Sequence, residues 1–275
     1  MSFKILDFKC ALVTGGAGGI GRAMTEYFLS LNKKVIIAGR TESKLKSTAQ
    51  EINNSNLSYY VLDTGDLASI PAFIKKLTSE HPDLDCLVNN AGVQRPLDVN
   101  EMSPEDFLEK ADQEVSININ GPMHLAIGLL PHFKSHKSGA VIINVSSVLG
   151  YIPTSVINPV YNGTKAWQHF WSVNLRTQLS RAKDGGEKIR VVEIAPPTVA
   201  TDLHREREDP NDNKKENNDA ALSVEEFMDE LTSGLKRDDE VISAGWGKGP
   251  VEKWYKTYAE DYKKAAGDQG GRGFA

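Results

Sequence analysis

The chain has 275 residues, 40% of them hydrophobic and 25% charged, with a net charge of −5 and an isoelectric point near 5.7. That length supports one large α/β domain or two small ones, while the acidic balance argues against a nucleic-acid-binding face and no apolar run is long enough to span a bilayer. The opening MSFKILDFKCALVTGG lacks the parts of a signal peptide, and the two cysteines, Cys10 and Cys86, set no disulfide framework, so a cytosolic, reducing location is the expectation.

In chain order, the first strand is expected at 9–14 and runs straight into LVTGGAGGIGRAM, 12–24, which opens a helix over 20–31. Gly15, Gly19 and Gly21 stand in a Gly-x-x-x-Gly-x-Gly spacing. At a first strand-to-helix turn, such glycines allow a tight turn and let backbone approach a pyrophosphate seated on the helix N-terminus. The second strand, 34–39, ends in Gly39-Arg40, with Lys44 near, where a site for NAD would want an acid for the ribose hydroxyls. An arginine there pairs with a 2′-phosphate instead, which favours NADP(H), although a solvated Arg40 at the sheet edge fits the same residue.

A helix over 42–52, a strand at 57–62, a helix over 69–79 and a strand at 84–89 follow. The next helical pattern, 104–130, starts at Ser103-Pro104, an N-cap followed by a first-position proline. Strands at 140–145, 189–194 and 240–245 alternate with helices at 160–181, 224–235 and 250–264, and Ser223 and Glu226 have capping-box spacing. Most of the strands are near-continuous apolar runs, as in a parallel sheet covered on both faces. The expected fold is α/β: a single-domain, Rossmann-type doubly wound sheet of about seven strands over 1–265. Residues 204–221 are polar and charged, read as a solvated insertion that is also placed to act as a substrate lid, and 266–275 as a flexible tail.

Within the fifth helical pattern, PVYNGTKAW sets Tyr161 one helical turn before Lys165. A nearby ammonium favours a phenolate, so the pair is either a tuned proton donor or a buried aromatic beside a lysine. His132 and His136 have i,i+4 spacing but no third ligand, and no metal site is expected. They read as solvated helix ends, and Trp167 and Trp171 as packing residues. Gln94 and Arg95 follow the fourth strand and face either a substrate or a surface ion pair.

Taken together, TGGAGGIG (14–21), NNAG (89–92), INING (117–121), NVSSVLG (144–150), YNGTK (161–165) and PPTVATDL (196–203) resemble the classical short-chain dehydrogenase/reductase family, with order and spacing that fit from residue 9 to about 250. The diproline, NNAGVQR and the late VEEFMDELTSGLKRDDEVISAGW look most like an uncharacterised oxidoreductase branch of it. The resemblance implies a catalytic set of Asn118, Ser147, Tyr161 and Lys165. Ser147 takes the serine role over Ser146, though its interval to Tyr161 is about one residue longer than the family's usual spacing. It also implies cofactor contacts at Gly15, Gly19, Ile20, Arg40, Asp63, Asn90, Tyr161, Lys165, Val199 and Thr201. The family's usual Pro-Gly after the sixth strand is Pro196-Pro197 here, which removes a backbone N–H.

The expected chemistry is carbonyl reduction or alcohol oxidation with NADP(H). Tyr161 is the general acid or base, Ser147 a second hydrogen-bond donor, and Lys165 lowers the phenol pKa and binds the ribose. Asn118 would hold a water linking Lys165 to solvent. A cytoplasmic homodimer or homotetramer acting on a small molecule completes the expectation. Its rivals are an NADP-binding sensor that lost turnover and a dehydratase or cyclase using the same site.

Overall fold

A computed structural model of the chain describes residues 3–269. Its strands are β1 (Cys10–Thr14), β2 (Lys34–Gly39), β3 (Leu57–Val61), β4 (Leu84–Asn89), β5 (Ala140–Val145), β6 (Ile189–Ala195) and β7 (Val241–Ser243). All pair in parallel in the order β3-β2-β1-β4-β5-β6-β7. The sheet is therefore wound outward in both directions from the β1–β4 neighbours, which leaves a crevice beyond their C-terminal ends.

The apolar runs dictate two cores, because successive strand residues point to opposite faces. Every residue of β1 is buried. Ala11 and Val13, with Val35, Ile37, Cys86 and Val88, pack against α1 (Gly19–Ser30) and α7 (Val224–Arg237), whose Phe28, Phe227 and Leu231 are fully enclosed. Cys10 and Leu12, with Ile36, Ala38 and Leu87, face the other layer, into which α3 (Ile70–Glu80) and α5 (Gly121–Ser135) send Leu77, Leu129 and Phe133. α2 (Glu42–Ile52) is the crossover from β2 to β3, its Leu45 packing in the same core as α1. Both thiols are free and buried, and burial pushes that of Cys10 up to about 12.

The expected helix over 104–130 is two helices. α4 (Pro104–Val115) and α5 are joined by a π segment, Ser116–Asn120. The extra residue in that turn rotates Ile117 and Asn118 into the interior, where both are buried. The caps read from the sequence are present. The Ser103 hydroxyl accepts from the Asp106 N–H at 3.1 Å, while Ser223 accepts from Glu226 N–H and Glu226 returns the bond to the Ser223 N–H.

The long α6 (Pro159–Ser180) lies on the sheet over β5 and β6 and is itself covered by α8 (Lys248–Gln269). Trp167 and Trp171 stack one helical turn apart, ring centroids 5.3 Å and planes 11° from parallel. Trp254 of α8 meets His169 of α6 edge-on at 4.3 Å. Behind that contact, His169 Nδ1 lies 2.9 Å from one Glu193 oxygen and the Ser146 hydroxyl donates to the other at 2.6 Å, all three residues being buried. The last helix runs four residues past the expected domain limit of 265, to Gln269, and the rest of the expected tail lies outside the described residues. No helix among the described residues is long and apolar enough to cross a membrane.

Candidate active site

The crevice at the C-terminal ends of β1, β4, β5 and β6 is an open cleft of about 740 Å³. Its floor is the turn after β1. Gly15 has φ +66°, a backbone region that favours glycine. A Cβ on Gly21 would lie 2.4 Å from the Gly15 carbonyl oxygen and 2.5 Å from Asn90 Nδ2, so only a bare Cα lets α1 begin this close to the strand. Asn90 ties the turn down by donating to the Thr14 carbonyl at 2.9 Å, and the Thr14 hydroxyl accepts from the N–H groups of Asn90 and Ala91 at 3.0 Å.

The expected residues assemble along this cleft. Gly15, Gly19, Ile20, Arg40, Asp63, Asn90, Ser147, Tyr161, Lys165, Val199 and Thr201 all line it, and Thr201 lies against Gly19. Arg40 is exposed at the end of β2 and makes no ion pair among the described residues. Asp63 turns its carboxylate to accept from the Gly65 N–H at 2.9 Å. Lys44, only noted as near in the sequence, reaches back over the glycine turn, its ammonium 3.2 Å from where a Gly18 Cβ would stand. Thr201 accepts from the Leu203 N–H at 3.4 Å, beside a short parallel bridge from Val199 to Leu222.

Asn118 does not line the cleft; it stands behind it, fully buried. Its amide clamps Val93 from both sides, Oδ1 accepting from the Val93 N–H at 2.9 Å and Nδ2 donating to the Val93 carbonyl at 2.8 Å, with Thr164 Oγ1 a further acceptor at 3.2 Å. These bonds make the side chain a clamp on the loop after β4.

Tyr161 and Lys165 are both buried. Burial, with the Glu114 charge, pushes the phenol pKa up, and the neighbouring Ser147 hydroxyl acts in the opposite sense. The lysine itself is brought down to about 7 by burial, Glu114 acting in the opposite sense. Its ammonium sits over the Tyr161 ring, 5.4 Å from the centroid, and donates to the Val145 carbonyl at 2.8 Å and Gln168 Oε1 at 2.9 Å. Burial penalises the charged form of each group.

Residues 204–221 are mostly exposed, as expected of a solvated insertion, but are anchored at a few points. Asn213 is buried and donates to the carbonyls of Val199 and Thr201, at 3.3 and 3.2 Å. Arg207 pairs with Asp212 at 2.6 Å and reaches Gln94 Oε1 and Asn158 Oδ1, each at 3.2 Å. Arg95 is an ion pair with Glu206, at 3.0 Å, but a nearly buried one. His132 is half-buried with a ring nitrogen 2.9 Å from the Leu84 carbonyl and 3.2 Å from His136, which corrects the solvated reading. A separate group that sequence spacing did not reveal, Cys10, His81 and Asp83, gathers at the far, N-terminal end of the strands; Lys34 occupies Asp83 at 2.7 Å and the Tyr60 hydroxyl lies 2.8 Å from His81.

Two further residues escaped the sequence reading. Glu114 and Gln168 carry no motif; the one trace of Glu114 is an acid on the buried stripe of α4, between Ala111 and Asn118.

The chain matches the family model described as short chain dehydrogenase over residues 9–212. It is 33% identical over 232 residues to the uncharacterized oxidoreductase DltE of Bacillus subtilis, covering 84% of this chain and 86% of that one. It is 32% identical over 223 residues to the NADP-dependent 3-hydroxy acid dehydrogenase YdfG of Shigella flexneri, covering 79% and 85%. Among solved structures, a short-chain dehydrogenase from Sphingobium yanoikuyae in complex with NADPH shares the fold, with a TM-score of 0.74, 22% identity and 94% of each chain covered.

The Lys165 shift has a consequence for stability. Between about 7, its folded value, and its ordinary 10.5, the unfolded chain binds a proton that the folded protein does not, so this residue makes stability rise with pH across that window. Urea denaturation from pH 7 to 9 should show the unmutated protein gaining stability relative to Lys165→Met. Parallel profiles would mean that the lysine titrates normally.

Proposed function

The chain belongs to the short-chain dehydrogenase family, and from that we propose an NADP(H)-dependent oxidoreductase that interconverts a carbonyl and a secondary alcohol with Tyr161 as general acid and base. The observation that carries the reading is the convergence of Ser147, Tyr161 and Lys165 in the cleft that the glycine turn also lines. The name of the 32%-identical Shigella relative supports the choice of NADP.

The residues fit such a cofactor. The floor has room only where Gly15 and Gly21 lack a Cβ, and backbone N–H groups at a helix start suit a pyrophosphate. Gly15, Gly19, Ile20 and Asn90 would hold that part, Asp63 the adenine end, Arg40 with Lys44 the 2′-phosphate, and Lys165, Val199 and Thr201 the nicotinamide end. Bound NADPH would supply a hydride to the carbonyl carbon. Tyr161 would then deliver its hydroxyl proton to the resulting alkoxide oxygen, Ser147 would donate a hydrogen bond to the same oxygen, and Lys165 would return a proton to the phenolate. A phenol pKa held high by burial keeps Tyr161 protonated and ready to donate at neutral pH.

Within the carbonyl class, a 3-oxo acid and its 3-hydroxy acid are the first pair to assay, since the Shigella relative is named for such substrates and Arg205 and Arg207 line the cleft. Residues 204–221 serve as the lid over that substrate, supported by the Arg207 bridge to Gln94 and Asn158. Exposed Leu108, Ile127 and Phe170 on α4, α5 and α6 support assembly of a cytoplasmic homodimer or homotetramer.

Tyr161→Phe keeps the ring and its packing but removes the transferable proton. Turnover should fall about a hundred- to ten-thousand-fold, the usual worth of general acid catalysis, with NADPH affinity little changed. A Phe variant with near-normal reduction would refute the mechanism and move the non-redox and sensor readings ahead.

Arg40→Ala should weaken NADPH far more than NADH, by about one to a few kcal/mol, the size of a charge-assisted hydrogen bond. Equal affinity of the unmutated protein for the two cofactors would contradict the assignment.

Hydrogen exchange across 204–221 should slow when cofactor and substrate are both bound. Unchanged exchange in an active ternary complex would leave the segment a surface loop.

A further inference from the structure

Glu114 is an anomaly that the catalytic set does not use. It ends the buried stripe of α4, is 0% exposed, and both carboxylate oxygens are enclosed without a hydrogen-bond partner. It points at the Arg95 backbone N–H without closing a bond of normal geometry. An isolated buried carboxylate is costly unless a cation answers it.

The charges around it sort into two pairs. The groups facing Glu114 are Arg95 from the loop after β4, Glu206 from the segment after β6, and Lys165 and Tyr161 from α6. Arg95 is already matched, through its ion pair with Glu206 at 3.0 Å, and its remaining reach goes to the Lys110 carbonyl at 3.2 Å. Lys165 has only neutral oxygens as direct partners, those of Val145 and Gln168. Of these groups, that leaves the Lys165 ammonium and the Glu114 carboxylate without an ionic partner, on packed helices α6 and α4.

We propose that Glu114 is the buried counter-ion of Lys165, a positioning residue that answers the lysine from the packed neighbouring helix. It acts through Lys165 and touches neither substrate nor cofactor. The directions agree: burial brings both groups toward about 7, Glu114 opposing the fall of Lys165 and Lys165 opposing the rise of Glu114. Near neutral pH the pair therefore holds its charges jointly, and a proton gained by one is felt by the other. Only the kinetic arm of the test below rests on the proposed redox function.

Glu114→Gln separates this role from a structural one, because the amide keeps an acceptor for the Arg95 N–H and loses the charge. The probe is the cofactor-free protein with lysines labelled at 13Cε, the Lys165 signal being identified by its absence in Lys165→Met. In the Gln variant the Lys165 midpoint should fall by on the order of one pH unit, the size expected of a nearby opposite charge. By reciprocity, with glutamate carboxyl carbons labelled, Lys165→Met should raise the Glu114 midpoint; this second measurement decides the matter if the Gln variant does not fold. An unmoved Lys165 midpoint in folded Glu114→Gln, or an unmoved Glu114 midpoint in Lys165→Met, overturns the proposal.

In the kinetic arm, carbonyl reduction by Glu114→Gln should lose activity at lower pH than the unmutated protein does, since both the lysine and the phenol then deprotonate earlier. A uniform loss at every pH would overturn the counter-ion role and mark a residue that only braces the loop. If the midpoints move but the unmutated protein reduces no carbonyl, the counter-ion stands and the redox reading fails. If reduction proceeds and the midpoints stay put, the outcome is the reverse.

Discussion

The cleft depends on how the chain is held as it leaves β4. Two asparagines grip it from opposite directions: Asn90 reaches back to the Thr14 carbonyl of β1, and Asn118 reaches out from the π segment to both backbone groups of Val93. Between them stand Ala91 and Gly92, with the Thr14 hydroxyl under the Ala91 N–H. A backbone loop in a crevice has to find partners for its polar groups, and here side chains supply them. Release either grip and the glycine turn loses its roof or the Lys165 pocket its wall, since Gly92 lies against both Asn118 and Lys165.

The same enclosure governs the ionisable groups. Tyr161, Lys165 and Glu114 are all buried, and desolvation is the largest influence on each. In such surroundings a charge survives only where another answers it, and the proton affinities of the three become properties of the group as a whole. A tyrosine and a lysine four residues apart on an exposed helix would share none of this. What distinguishes this pair is depth, and depth is set by α4, the π segment and the segment after β6 closing around it.

Much of the fold was legible beforehand. The apolar strands sit within a residue or two of their expected bounds because continuous hydrophobic runs have few alternatives in a doubly covered sheet. The glycine spacing, the Ser103 and Ser223 caps and the Tyr161–Lys165 pair follow from local rules that tertiary context did not override. The break at Ser116–Asn120 was not legible, because a π turn conserves helical periodicity on both sides and leaves no Gly or Pro inside it. Nor was the anchoring of 204–221, whose polar composition suits solvent equally well; what holds it are single contacts from Arg207 and Asn213 to distant residues. Glu114 was hidden for a similar reason, since an acid in an acidic helix looks like surface until burial is known.

The stacked indoles of Trp167 and Trp171 lie within two turns of Lys165 on the same helix. Two chromophores at 5.3 Å couple their electronic transitions, so α6 carries an internal optical gauge read in the near-ultraviolet circular dichroism. The gauge reports the winding and seating of the helix and contains no atom of the cleft. A spectrum that keeps this signature while chemistry is lost identifies a defect of reacting groups; one that loses it identifies a helix that has come off the sheet.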